Sequence, residues 1–423
     1  MIFQFISNAC GVISGDSGTR MITDPWLNNG VMEGSWCNHP PINSRISDFH
    51  DVDLIYLSHL HPDHYDSRFF DFPKSTPIVI LDHGNNYLQK ILSRNGYSNL
   101  ILVKDSCSVK FKEFKITMFA PFVKYAFEDF EKNQIASEVG NLIDSAMLVQ
   151  TKEFSIMNFN DNKPDINACN NLLKEYGQID LALLNYNAAN CYPACFKNLS
   201  DNEKVNEKKR IVTRNYDYMI DLINALNPKT VLPFAGSYIL GGKEHIKNKY
   251  LAVDSAEECK NYIANHVKSS VINLSEKNRF DLKSNKLLDK FIDFSEKQTE
   301  TLIESELKHL SYPYEDDQDP DLNLLVEDTK KASTGMINKM DKLGFKCETK
   351  VSILINDQSI EVYSPSNENN LSLECSMDPR LLRRILNREA NWNNAEIGAH
   401  INFRRTPNIN EPDIHTALQF LHL

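Results

Sequence analysis

The spacing of apolar and polar positions changes several times along the chain, and each change marks an element. Residues 2–26 carry the short apolar runs FQFIS and GVIS, a turn at Gly15-Asp16-Ser17-Gly18, then TRMITDPW, which predicts an antiparallel β start. DVDLIYLSHLHPDH, residues 51–64, is an apolar strand that runs out into a loop dense in His and Asp. A strand's C-terminal end is where a βα unit places chemistry. Strands TPIVIL, NLILV, SAMLVQ, FSIMNFND, IDLALLNY and TVLPFA follow, with the hairpin SVKFKEFKITMF and helices GNNYLQKILSRNG, NACNNLLKEYG and NYDYMIDLINALN between them. Two β-rich halves, each with helices, predict an α/β fold of the four-layer αββα kind rather than a doubly wound parallel sheet. A dinucleotide-binding fold would also need a glycine fingerprint that the chain lacks.

From about residue 273 the pattern becomes polar and helical. Leu287, Leu288, Phe291, Ile292 and Phe294 offer an apolar stripe, a helix continues over Thr301–Leu310, and the acidic stretch YPYEDDQDPD at 312–321 breaks the chain. A hairpin, ETKVSILI with QSIEVYS, and a helix over Pro379–Asn387 open a last module. The expected division is therefore 1–272 as a metal-binding catalytic domain, 273–344 as a helical linker, and 345–423 as a small α+β module.

Composition narrows the function. The 423 residues are 41% hydrophobic and 24% charged, as in globular proteins, and no apolar run approaches the ~20 residues that span a bilayer. The first residues lack the basic segment of a secretory leader, so a cytoplasmic location is expected. A net charge of −11 opposes general binding to a nucleic-acid backbone, and the basic run Lys204–Arg210 reads as a solvated helix face. Nine cysteines without regular spacing read as reduced thiols, and Cys191 and Cys195 lack the second pair that a zinc knuckle needs.

The chemical signal is His59-Leu60-His61-Pro62-Asp63-His64, the pattern H-x-H-x-D-H directly after an apolar strand. Two imidazoles one residue apart converge on one cation, while Asp63 and His64 turn toward a second. A two-metal site needs a bridging carboxylate, and Asp161 ends the strand FSIMNFND. Asp24 terminates TRMITDPW and is expected to orient a ligand rather than bind metal.

At these residues the chain resembles the metallo-β-lactamase superfamily, and within it the branch that contains CMP-N-acetylneuraminate hydroxylase. The matching pieces are DPWLNNG (24–30), GSWCNHPP (34–41), LSHLHPDHYD (57–66), LIDSAMLV (142–149), EFSIMNFNDNKP (153–164), LLNYNAANCYPACF (183–196), VLPFAGSYILGGK (231–243) and, near the end, LNREANWNNAEIGAHINFRRTPN (386–408). The resemblance implies a metal set of His59, His61, Asp63, His64 and Asp161, holding one or two divalent ions, with zinc first and iron or manganese as the other candidates. Two departures matter. A Rieske cluster takes C-x-H and C-x2-H ligands, yet Cys37-Asn38-His39 stands alone, so oxygenase chemistry would draw electrons from a partner. The superfamily's later histidines are also missing, since residues 84–161 hold none and PFAGSY offers Phe234 and Ser237. His39 is the candidate for the vacant imidazole position or for a substrate contact, with His83 and Asp144 behind it.

Three functions compete. In the first, the cations lower the pKa of a bridging water from ~15.7 toward ~7, and the resulting hydroxide attacks a phosphodiester, ester or amide of an anionic, nucleotide-sugar-like substrate. Asp63 and Asp161 are catalytic there, and His39 or Asn187 assists the leaving group. Trp26, Trp36, Tyr192 and Tyr238 would line a sugar pocket or simply pack in the core. In the second, the same ligands hold iron and the protein oxidises a nucleotide sugar. In the third, the fold persists as a binder without catalysis. Arg380, Arg383, Arg384, Arg404 and Arg405 either close over the anionic substrate or pair internally.

Overall fold

The computed structural model describes residues 1–84, 86–122, 143–366 and 370–423. Asn85 of the first expected helix and Leu142 of the LIDSAMLV piece lie outside them. Two mixed sheets stack face to face. The first runs, in spatial order, through Lys286–Leu287, Arg279–Asp281, Ile2–Ser7, Cys10–Ser14, Arg20–Thr23, Leu54–Tyr56, Ile78–Leu81 and Leu100–Val103. The second runs through Ser270–Val271, Thr230–Pro233, Leu181–Leu184, Ser155–Asn158, Ala146–Gln150, Phe114–Phe119 and Ser108–Phe111.

Side-chain alternation sorts the layers, because successive residues of a strand face opposite sides. Leu54 and Tyr56 enter the core between the sheets and Ile55 the opposite face; Val79 and Leu81 point inward and Ile78 and Ile80 outward. In the second sheet Leu181 and Leu183 point inward, Ala182 and Leu184 outward. Each face so coated with aliphatic side chains requires cover. Helix Tyr87–Arg94 covers the first sheet's outer face through Leu88 and Leu92. Helices Ile166–Tyr176, Asp201–Leu226 and Ala256–Ile263 cover the second's through Leu172, Met219, Leu222 and Ile263. The result is the αββα sandwich of the metallo-β-lactamase fold.

Three departures from the sequence pattern have physical reasons. The expected helix 215–227 starts at Asp201, because Ser200 and Glu203 form a reciprocal capping box, and it ends where Asn227 turns left-handed at φ 48. That longer helix absorbs the basic run: Lys204 donates to Ala194 O and Arg210 pairs with Glu207, while Lys208 and Lys209 line a cleft of about 380 Å3 with Tyr216 and Tyr262. The first sheet also continues past residue 272, since Phe280 pairs with Phe3 and Leu287 with Phe280 inside the stretch expected to be helical.

The C-terminal sheet, ordered Gln358–Tyr363, Lys350–Ile355, Ser372–Ser376 and Asn402–Thr406, receives helix Leu322–Leu343 across it, with Ser333 donating to Val362 O. Its core is continuous with the sandwich's loops: Val351, Phe403 and Trp392 join one apolar cluster with Trp26, Trp36, Phe196 and Tyr238. Among the described residues no helix is long and apolar enough to cross a membrane.

Candidate metal centre

Strand Leu54–Tyr56 delivers Ser58 and His59 to the end of the first sheet, buried beneath the second. A tight turn then reverses the chain, with His64 and Tyr65 amides both donating to His61 O at 2.9 Å. This turn folds His64 back under His59, and the two ring centroids stand 4.1 Å apart. His59 Nε2 lies 2.8 Å from His61 Nδ1, 3.6 Å from Asp144 Oδ1 and 3.8 Å from Asp161 Oδ2. His64 Nε2 lies 3.4 Å from Asp63 Oδ2 and 3.3 Å from Asp161 Oδ2.

Asp161 arrives from the second sheet, just after strand Ser155–Asn158, where Asn160 takes a left-handed φ of 48 and turns the chain inward. Asn185 Nδ2 donates to Asp161 Oδ1 at 2.9 Å and leaves Oδ2 facing both imidazoles. Asp144 stands just before strand Ala146–Gln150, and its neighbour Ser145 donates to Ser58 O at 2.7 Å, tying that carboxylate to the histidine loop. Among the described residues two groups that could hold an ion result, His59–His61–Asp144 and His59–His64–Asp161, each with its donor atoms within 4.8 Å of one another.

The electrostatics follow from burial and partners. Burial drives His59 well below the usual imidazole range, with His64 and His61 adding repulsion. Burial also pulls on His64, but Asp63, Asp24 and Asp161 outweigh it and hold this ring well above its ordinary value. Burial alone would raise Asp161; the facing His64 and His59 reverse it and keep the carboxyl well below the carboxylate range. Asp24 is raised by burial, against the pull of His64 and Ser58. Carboxylates packed this tightly against imidazoles are what a divalent cation neutralises. The residues fit such an ion on a further ground: His64 Nε2 is buried and makes no aligned hydrogen bond, although two carboxylates face it.

The structure brings His59, His61, Asp63, His64, Asp144 and Asp161 together and seats Asp24 behind them, Oδ2 3.1 Å from His64 Nδ1. It does not bring in His39. That ring's Nε2 is 2.9 Å from Thr299 Oγ1, its edge meets Phe294, and burial lowers it to about 4, so the expected catalytic or ligand role is corrected. Asp144 occupies the place sought for an imidazole. His83 is exposed and outside both groups.

The substrate candidates fare likewise. Trp36 stacks on Tyr238 at 3.4 Å in the core, and its Nε1 donates to Ile397 O. Asn187 braces two loops, donating to Gly236 O and Asp254 O and accepting from the Asp254 amide, which leaves it no free group for a leaving atom. The C-terminal arginines pair internally: Arg380 with Asp378, Arg384 and Arg383 with Asp317, Arg404 with Glu374, while Arg405 lies over Phe196. Two residues beside the centre escaped the sequence reading. Ser58 sits between the rings, and Lys163 stands by Asp161 and Asp144, lowered to about 8 by burial and Arg214. Both are within three residues of a ligand, and that adjacency was the available signal.

No known family model matches the sequence. A protein of Mycolicibacterium smegmatis named as a Rieske 2Fe-2S iron-sulfur protein is 28% identical over 199 residues, covering 45% of this chain and 35% of that one. The cytidine monophosphate-N-acetylneuraminic acid hydroxylase of Danio rerio is 24% identical over 257 residues, covering 58% of this chain and 39% of that one. The chain thus spans well under half the length of these relatives. Among solved structures, CmlA, a diiron beta-hydroxylase from Streptomyces venezuelae, overlaps with a TM-score of 0.43 at 16% identity, over 68% of this chain and 54% of that one. An isothiocyanate hydrolase from Delia radicum gut bacteria overlaps at 0.44 and 15%, over 66% and 99%. Overlaps this loose pass no function to the chain. Its own two-sheet layering, its ligand turn and its sequence relatives together make it resemble the metallo-β-lactamase superfamily, in the CMP-N-acetylneuraminate hydroxylase-like branch.

Proposed function

We propose that the chain is a metal-dependent hydrolase that cleaves a phosphodiester, ester or amide bond in a small anionic substrate of the nucleotide-sugar or carbohydrate-derived class. The observation that carries this reading is the pair of interlocking ligand groups sharing His59. Bound there, a divalent pair supplies Lewis acidity and a water of lowered pKa. The chain's own residues do the rest. Asp161 Oδ2 faces both His59 and His64 and so addresses both groups, with Asn185 fixing its other oxygen. Burial of His59, Asp63 and His64 keeps bulk water from competing for these donors. The Lys163 ammonium, beside Asp161 and Asp144, offers a contact for substrate anion.

A second reading rests on Asp144. With a carboxylate where a third imidazole is usual, the donor set holds as many carboxylates as imidazoles, and such mixed sets suit iron better than zinc. Under this reading the chain oxidises a nucleotide sugar with electrons from a partner protein, as the hydroxylase names of its relatives suggest. Elemental analysis of protein purified without chelator, beside His61→Ala and Asp161→Ala, separates the readings. About two equivalents of zinc or manganese, lost in both variants, support the hydrolase. Two of iron support the oxidative enzyme, and no bound metal leaves a non-catalytic binder.

A further inference from the structure

We infer that Ser58 is the positioning residue that sets the protonation pattern of both His59 and His64 for cation binding, with Asp24 as its anchor. The inference rests on the metal-centre reading and deepens it. His59 and His64 both turn Nε2 toward the ligand carboxylates, at 3.3–3.8 Å, so a cation must be taken by Nε2 on each ring. A neutral imidazole has one N–H, so both rings must carry it on Nδ1. Both Nδ1 atoms point at one oxygen: Ser58 Oγ is 2.9 Å from His59 Nδ1 and 3.1 Å from His64 Nδ1.

A serine hydroxyl has two acceptor lone pairs and one proton. Accepting from both rings uses the lone pairs and leaves the proton to turn toward Asp24, which the Ser58 amide already holds and whose buried Oδ2 lacks an aligned donor. Were Ser58 to donate to either ring instead, that ring would carry its proton on Nε2 and face the carboxylates with an N–H, unable to ligate. Asp24 opposes this. Its Oδ1 already accepts the Ser58 amide at 2.7 Å, and its Oδ2, wholly buried and 3.1 Å from His64 Nδ1, has no aligned donor. From the other side Ser145 Oγ grips Ser58 O, and Tyr56 and Asn160 continue the chain, so the serine's backbone is held in place.

The arrangement is unequal. His64 has a second acceptor within reach, Asp24 Oδ2 at 3.1 Å, whereas among the described residues His59 Nδ1 has Ser58 alone. Loss of the hydroxyl therefore falls first on the cation of His59, His61 and Asp144. The test is calorimetric titration of the metal-free full chain with Zn2+, the two steps assigned with His61→Ala and Asp63→Asn. Ser58→Ala is expected to weaken the step lost in His61→Ala by ~10–100-fold, the range for changes one shell out from a metal, and to weaken the other less, because that group shares His59 but its His64 keeps Asp24. Ser58→Thr, which keeps the hydroxyl, is expected to bind as the natural chain does. Should Ser58→Ala fail to fold, Ser58→Cys, of similar size but a weaker acceptor, must weaken the same step. Unchanged binding in Ser58→Ala or Ser58→Cys, or equal weakening of both steps, overturns the inference while leaving the metal centre standing. Absence of any binding by the natural chain overturns both.

Discussion

His64 and His400 are both buried, 0% and 4% exposed, and burial pulls both imidazoles toward the neutral form. Their surroundings send them opposite ways. Around His64 stand Asp24, Asp63 and Asp161, which raise it and leave its Nε2 without an aligned partner. Around His400, Nε2 donates to Met32 O at 3.0 Å, Tyr314 hydroxyl meets Nδ1 at 3.1 Å, and burial, with Lys247 and Lys243, lowers the group to about 3. A buried polar side chain whose every atom is satisfied holds structure together; one that faces converging charges without a partner is set up for a ligand.

The largest test of this contrast is at Asp161, which faces both His59 and His64. Asp161→Ala is expected to cost more than the ~100-fold in cation affinity that a change one shell out can cost, with folding little altered, as read by calorimetry and circular dichroism. Trp392→Ala, in the cluster that holds the His400 region, should do the reverse: a loss of ~3–5 kcal/mol in urea denaturation and unchanged cation stoichiometry. If cation binding vanished with Trp392, the two regions would not be separable.

His400 also predicts a pH dependence. Its folded pKa, near 3, is depressed below the ordinary 6.5, so the unfolded chain takes a proton that the folded chain refuses. Stability is then full above about pH 6.5 and falls as pH drops toward 3, by ~1.4 kcal/mol per pH unit at the steepest. Urea midpoints between pH 7 and 5 should show that slope, and His400→Gln should flatten it by one proton. The smallest effect expected is that of Ser200→Ala, which removes a helix cap and should cost ~1 kcal/mol without touching cation binding.

The site was legible in the chain to the extent that it was local. His59 to His64 lie within one turn after an apolar strand, and Asp24 and Asp161 end strands, so period and residue type sufficed. Asp144 is only a minor candidate in the sequence, because one Asp before a strand has no distinguishing neighbour; what singles it out is that it faces His59 across the sandwich. His39 drew attention through the C-x-H spacing, yet what its ring meets are Phe294 and Thr299, more than 250 residues on, which no local pattern reports. The αββα layering followed from strand alternation. Strands Arg279–Asp281 and Lys286–Leu287, three and two residues long, are too short to show any period. The shared core of the C-terminal sheet and the first loops was illegible for the same reason as His39.

That shared core has a consequence for how the chain is made. Ser35 Oγ donates to Gly398 O, Trp36 Nε1 to Ile397 O, and Met32 O accepts from His400, contacts spanning 361 to 368 residues. A ribosome adds ~5–20 residues per second, so these early side chains wait roughly 20–70 s for their partners to emerge. Through that interval Trp26 and Trp36 belong to an unfinished surface, and the nascent chain must be kept from other apolar surfaces until its last helices arrive.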